Sequence, residues 1–193
     1  DLSKYPRRLW LDRALCRSEG VDVVFAPDAQ TMYPPGTQTV VTVPAVAHRW
    51  EGAARPYHFQ GVATIVTKLL CLVQPDVTWF GQKDYQQAAL VQRLVKDLNL
   101  PVRLIIHPTV REAGGLAMSS RNVYLSAPHR QAAPVRYRAL QAGAAAVRAG
   151  ERRGARIRRR MALVVAQEPL ATPDYLAVCD PLTLEPLSTV QRK

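Results

Sequence analysis

The chain has 193 residues, 48% of them hydrophobic, and a formal net charge of +11. That length fits one large or two small folded domains, and the apolar share supports a packed core and excludes a disordered chain. The charge favours anionic partners such as nucleotides, acidic metabolites or nucleic acid, and no apolar run approaches the roughly 18 residues a bilayer span requires.

The opening DLSKYPRRLW is charged and lacks the apolar core of a signal peptide. It also lacks an initiator Met, so a processed product or an incomplete piece is expected. Cys16, Cys71 and Cys179 are far apart and form no CxxC pair. Neither a zinc site nor a disulfide framework is expected, and a reducing, cytoplasmic setting follows.

Apolar spacing predicts a helix over 5–20, ended by Gly20, with Leu9, Ala14 and Leu15 among its apolar positions. The valine-rich run 21–27 predicts a buried strand. Residues 28–37, with MYPPG, predict a loop. A second strand is expected over 39–43 and another loop over 51–57. A helix is predicted over 59–72, closed by Pro75. A buried strand over 77–80, a helix over 84–98 and a strand over 102–107 follow. Such alternation implies a parallel sheet with crossover helices.

The character changes near Pro108. A polar, glycine-containing stretch is followed by two alanine- and arginine-rich helical runs, about 132–149 and 153–167. Short strands and turns are expected over 175–187. The fold class is therefore α/β. A Rossmann-like parallel sheet over 1–109 precedes a small α+β domain over 110–193. Seven arginines lie between Arg148 and Arg160. Ile157, Met161, Val164 and Val165 recur beside them at helical spacing, so the arginines are expected on the solvated face of an amphipathic helix. A nucleic-acid surface is the competing reading, but no aromatic residue interleaves with the charges to stack bases.

Two stretches carry chemistry. The first is GQKDYQQ, 81–87, between the predicted strand 77–80 and the following helix. Open α/β sheets bind ligands at the carboxyl ends of their strands. Gly81 allows close approach to the backbone, and Lys83 offers a mobile cation for phosphate. Gln87 lies one helical turn past Asp84, so both can face one crevice. The same Asp84–Gln87 spacing is also nearly a capping box, which would explain both without a ligand. The second stretch is MSSR, 118–121, after Gly114 and Gly115. Two hydroxyls and a guanidinium suit the grip of a polyphosphate.

Together, in this order, the two stretches resemble the pantoate–β-alanine ligase (pantothenate synthetase) family of the nucleotidylyl-transferase superfamily. The resemblance runs over nearly the whole chain. It includes YPR at 5–7, VFAP at 24–27, MYPPGT at 32–37, EGAARPYHFQGVATIVTKLL at 51–70, FGQKDYQQ at 80–87 and PTVREAGGLAMSSRNVYLS at 108–126. It implies ATP-dependent condensation of pantoate with β-alanine through a pantoyl adenylate, with Mg2+ accompanying ATP. It also implies a cytoplasmic homodimer, no nucleic acid and no membrane.

By the same resemblance, Gly81, Gln82, Lys83, Asp84, Val110, Met118, Ser119, Ser120 and Arg121 hold ATP. Lys83, Ser119, Ser120 and Arg121 serve the chemistry. Gln87 binds pantoate, and Arg55 and His58 line the substrate cavity. Gln82 stands where the family usually has glutamate. The family's N-terminal His-x-Gly-His is absent: the four histidines, His48, His58, His107 and His129, lack that spacing. The expectation is an internal fragment of a ligase, poorly soluble and inactive as written. A nucleotidyltransferase acting on another acid and a basic nucleic-acid-binding module are the alternatives.

Overall fold

The computed structural model describes residues 8–191. Contacts group them into two compact units, 8–39 with 119–124 and 40–118 with 125–191. This grouping follows contacts, whereas the division near Thr109 follows the change in composition. The two partition the chain differently.

The first unit carries helix α1 (Leu9–Ser18). The beginning of the expected helix and the YPR match lie outside the described residues. Gly20 ends the helical region at φ +77°, a conformation open to glycine. Leu9 and Leu15 are exposed, and α1 has no buried residue. The expected strand over 21–27 is not formed. Val23 is 79% exposed, and no described strand pairs with the run. A valine run favours extended backbone, but a strand exists only where a second chain segment supplies the ladder. The expected loop over 28–37 contains a one-turn helix, α2 (Ala29–Met32). Asp28 caps it by accepting from Thr31 N at 2.6 Å, and that bond lowers the carboxyl pKa.

The second unit begins without the strand expected over 39–43. Val41 N donates instead to Thr64 Oγ1 on a helix, at 3.0 Å. Helix α3 (Pro44–Ala47) starts at a proline, whose fixed φ suits the first turn. Helix α4 (Glu51–Ala54) occupies part of the expected loop over 51–57. Four-residue helices show no period in a sequence, which is why α2 and α4 fall within expected loops.

From residue 58 the order matches the expectation: α5 (His58–Val73), β1 (Val77–Gly81), α6 (Tyr85–Asp97) and β2 (Arg103–His107). Gln74, at φ +48°, caps α5 through its N–H to Leu70 O. Strands β1 and β2 are parallel, in register from Val77 opposite Arg103 to Gly81 opposite His107. The α/β class and the parallel sheet are therefore as expected. Strand β1 is not buried throughout, because Trp79 is 62% exposed. The core here joins Val46, Phe59, Ala63, Ala89, Leu90, Val91, Leu94 and Leu184.

Helices α7 (Ala127–Ala132), α8 (Val135–Arg148) and α9 (Gly154–Val165) follow. Ile157, Met161 and Val165 pack with Ala139 and Ala146 in a second core. Arg156, Arg158, Arg159 and Arg160 lie on the exposed face, as the amphipathic pattern predicts. The short strands expected over 175–187 reduce to one isolated antiparallel bridge, Cys179 with Pro186. The turn between them is held by Asp180 Oδ1, which accepts from Leu182 N and Thr183 N, both at 2.8 Å. Beyond it the backbone is stitched to the start of α9. Gly154 N donates to Ser188 O and Val190 N to Arg152 O, each at 2.8 Å. A Cβ on Gly154 would lie 2.0 Å from Leu187 O, so the crossing needs glycine.

Candidate active site

The turn after β1 carries the first group of expected site residues. Gly81 is extended (φ −85°, ψ 133°), so no backbone strain calls for glycine here. A Cβ on it would meet nothing nearer than Lys83 N at 4.0 Å. The space over this backbone is open, which suits a ligand brought close to it. Gln82, Lys83 and Asp84 form a single 3₁₀ turn leading into α6. Lys83 Nζ donates to Asp84 Oδ1 at 3.0 Å and Oδ2 at 3.2 Å. Both side chains are substantially exposed, so this pair adds at most about 1 kcal/mol to stability. Asp84 makes no side-chain capping bond. The capping-box explanation of the Asp84–Gln87 spacing therefore fails, and Gln87 lies half-buried one turn on.

The neighbouring glutamine was not singled out in the sequence. Gln86 is buried, and its Nε2 donates to Val46 O and to Arg49 O, both at 2.8 Å. Its Oε1 accepts from Glu51 N at 3.2 Å. One side chain thus rivets α3 and α4 to the helix that follows the Lys83 turn. Its spacing held a signal: Gln86 precedes Ala89 and Leu90 by three and four residues and so shares their buried face. Gln86→Leu leaves Val46 O and Glu51 N without their partner, while Arg49 O keeps its bond from Gly52 N; removing partners from buried groups costs about 1–3 kcal/mol each. The expected result is a loss of about 3 kcal/mol, measured by urea unfolding, with Gln86→Glu intermediate.

A small antiparallel hairpin brings two more expected residues together. Met118 N donates to Val110 O at 3.0 Å, and Glu112 N to Leu116 O at 2.9 Å. Arg111 bridges to Ala117. The Arg111 guanidinium lies 3.9 Å over the Tyr137 ring and donates to Gly115 O. Gly115, at φ +89°, sits so close to Tyr137 that a Cβ would come within 2.8 Å. Arg130 ties α7 to the hairpin through Glu112 at 2.6 Å. Val110 and Met118 are both more than half exposed.

Ser119, Ser120 and Arg121 belong to the first unit. Ser119 Oγ accepts from Arg121 N at 3.3 Å, and Ser119 O accepts from Asn122 N at 3.0 Å. The segment therefore makes a local turn in which the Ser120 and Arg121 side chains are exposed.

Lys83 opens on a cavity of about 680 Å³ walled by α7, α8 and the 170–176 loop. Arg55 lines a different one, of about 430 Å³, with Thr42, His48 and Tyr57. The two cavities share no lining residue. Arg55 pairs with Glu51 at 2.8 Å along α4. The His58 ring packs on Phe59, with centroids 5.0 Å apart.

Near the start of α6 a cluster of weak acids shares one environment. Tyr85 OH donates to Pro181 O at 3.1 Å, and Tyr175 packs on Trp50 at 5.5 Å. Burial raises the pKa values of Tyr85, Tyr175 and Cys179, and neighbouring acids add to the rise. Raised folded-state values mean that the folded chain holds these protons longer than the unfolded chain. Their contribution is complete below the ordinary values, 9.0 for Cys179 and 10.0 for the tyrosines, and declines as pH rises through the folded ones. Urea midpoints should fall above pH 9, and Tyr85→Phe with Tyr175→Phe should flatten the decline above pH 10. An unchanged slope in the double variant would assign the decline to other groups.

A family model described as pantoate-beta-alanine ligase matches residues 1–193. The pantothenate synthetase of Chloroflexus aurantiacus is 54% identical over 190 residues, which are 98% of this chain and 68% of that protein. The crystal structure of pantothenate synthetase from Thermus thermophilus superposes with a TM-score of 0.94 at 49% identity, covering 99% of this chain and 69% of that one. A Francisella tularensis pantoate-beta-alanine ligase, solved with Beta-gamma ATP and β-alanine, gives a TM-score of 0.70 at 32% identity, covering 85% and 61%. An open turn with an exposed ammonium at the end of a parallel strand, together with a family match from end to end, leads to one conclusion: the chain belongs to the pantoate–β-alanine ligase family.

Proposed function

We propose that the protein carrying this chain condenses pantoate with β-alanine at the expense of ATP. A pantoate carboxylate oxygen attacks the α-phosphorus, and the bond to pyrophosphate breaks. The amine nitrogen of β-alanine then attacks the acyl carbon of the adenylate, a proton is lost and AMP departs. The observation that carries this reading is the Lys83 turn. It sets an exposed ammonium and an unobstructed glycine backbone at the carboxyl end of β1, where open α/β sheets take their ligands.

The first step brings two anions together. Catalysis therefore calls for positive charge and alignment more than for a strong base. In this reading Lys83 neutralises the phosphates, with Gly81, Gln82 and Asp84 beside it. Gln87, one turn along α6, holds pantoate. Val110 and Met118 contact the nucleotide from the hairpin. Ser119, Ser120 and Arg121 grip the polyphosphate, and Arg55 and His58 serve the substrates. The nucleotide part is assigned to 1–109 and the covering part to 110–193. Among the described residues no cluster of three or more His, Cys, Asp or Glu side chains could hold a metal. In this reading, as the family resemblance implies, Mg2+ accompanies the phosphates of ATP. A cytoplasmic homodimer completes the reading. Among the described residues no helix is long and apolar enough to cross a membrane.

The test is pantoate-dependent exchange of labelled pyrophosphate into ATP without β-alanine, followed by pantothenate formation once β-alanine is added. Faster exchange with another carboxylic acid would overturn the substrate assignment. A nucleic-acid role is not favoured, because the α9 arginines lie on the solvated face of a helix whose other face is core.

A further inference from the structure

The hairpin after β2 is joined to α8 through one pair of side chains. The Arg111 guanidinium lies 3.9 Å from the centroid of the Tyr137 ring and donates to Gly115 O at 3.1 Å. One side chain thus reaches from the first arm of the hairpin to its turn, with the ring stacked on it. Gly115 stands at φ +89°, and a Cβ there would meet Tyr137 Cδ1 at 2.8 Å. The ring therefore also rests against the turn. Glu112 and Arg130 add a second tie, but both side chains are partly solvated, and such pairs hold weakly. The hairpin from 110 to 118 and α8 belong to the same compact unit.

Successive side chains on an extended arm point to opposite faces. Arg111 and Ala117, bridged to each other, are half-buried. Their chain neighbours Val110 and Met118 are 52% and 57% exposed. One face of the hairpin is docked and the other is open. We propose that Tyr137 is a positioning residue for the nucleotide: with Arg111 it clamps the docked face and so presents Val110 and Met118 together on the open one. The nucleotide contact of Val110 and Met118 rests on the ligase reading, whereas the clamp rests on its own contacts. A cation over an aromatic face needs the ring rather than the hydroxyl. Phenylalanine at 137 should therefore serve, and leucine should not.

The test joins amide hydrogen exchange with titration by ATP, in the protein carrying this chain. The N–H groups of Glu112, Gly115 and Met118 are bonded within the hairpin and report its docking. Tyr137→Leu should speed their exchange and weaken ATP binding about tenfold, the order expected for loss of a partly buried cation–ring contact. Tyr137→Phe should match the unsubstituted protein in both. Arg111→Ala should repeat the loss, and adding Tyr137→Leu to it should cost nothing more, because the shared contact is already gone. Unchanged protection of the α8–α9 amides shows that a variant is folded. Where Tyr137→Leu lacks that protection, Arg111→Ala carries the same test. Three results would each overturn the proposal: unchanged hairpin exchange, faster exchange with unchanged ATP affinity, or a Tyr137→Phe protein as impaired as Tyr137→Leu. If ATP affinity follows Tyr137 but no pantoate-dependent exchange occurs, the clamp stands and the ligase reading fails.

Discussion

Replacing Lys83 with alanine should lower the rate of pantoate-dependent pyrophosphate exchange about 10²- to 10³-fold, the usual cost of removing a preorganised charge from a transition state. The loss should appear in the catalytic rate as well as in the KM for ATP, because charge builds up on the phosphorus-bound oxygens as the carboxylate attacks. Stability should hardly change. The Lys83–Asp84 pair is exposed, and such pairs are worth at most about 1 kcal/mol. Lys83→Arg keeps the charge but spreads it over a planar fork on a different stem, so an intermediate rate is expected. Single-turnover measurement of adenylate formation separates this step from the later amine attack. A Lys83→Ala protein forming adenylate at the unsubstituted rate would remove the residue on which the proposed chemistry depends.

Gly52→Ala should be the most destabilising small substitution in the second unit. A Cβ on Gly52 would lie 1.6 Å from Ala47 O and 2.7 Å from Ala47 C. These are backbone atoms at the end of α3, and no rotamer change relieves the overlap. Either α3 or α4 must move, yet Gln86 holds the carbonyls of Val46 and Arg49 and the amide of Glu51. Overpacking a tight site costs about 1–3 kcal/mol, occasionally more, and the upper part of that range is expected here. Thermal or urea unfolding reads it directly. Gly61→Ala is the control, since nothing lies within 4 Å of its added Cβ. A Gly52→Ala protein as stable as Gly61→Ala would show that α3 and α4 slide freely.

The parts of the fold visible in the letters are those whose signal lies within one element. Helix α5 spans 16 residues and α6 spans 13, long enough for a period to show. The parallel pairing of β1 and β2 follows from the helix between them. The strands expected over 21–27 and 39–43 fail for a different reason. Pairing is a property of two segments, and a run such as VDVVF reports only its own preference. Helices α2, α3 and α4 are four residues each, shorter than the pattern that would reveal them.

The same distinction runs through the site. Lys83 was legible because glycine, lysine and aspartate follow directly on a strand. Gln86 and Gln87 are neighbours with the same side chain, and only the phase of the helix separates the buried rivet from the half-buried candidate ligand.

The seam between residues 152–154 and 188–190 makes the final described segment a fixture of the α8–α9 hairpin. A spin label or dye carried at Gln191 would consequently share the rotational diffusion of that hairpin. It would report on the hairpin's orientation, where a label on a loose end would average its signal away.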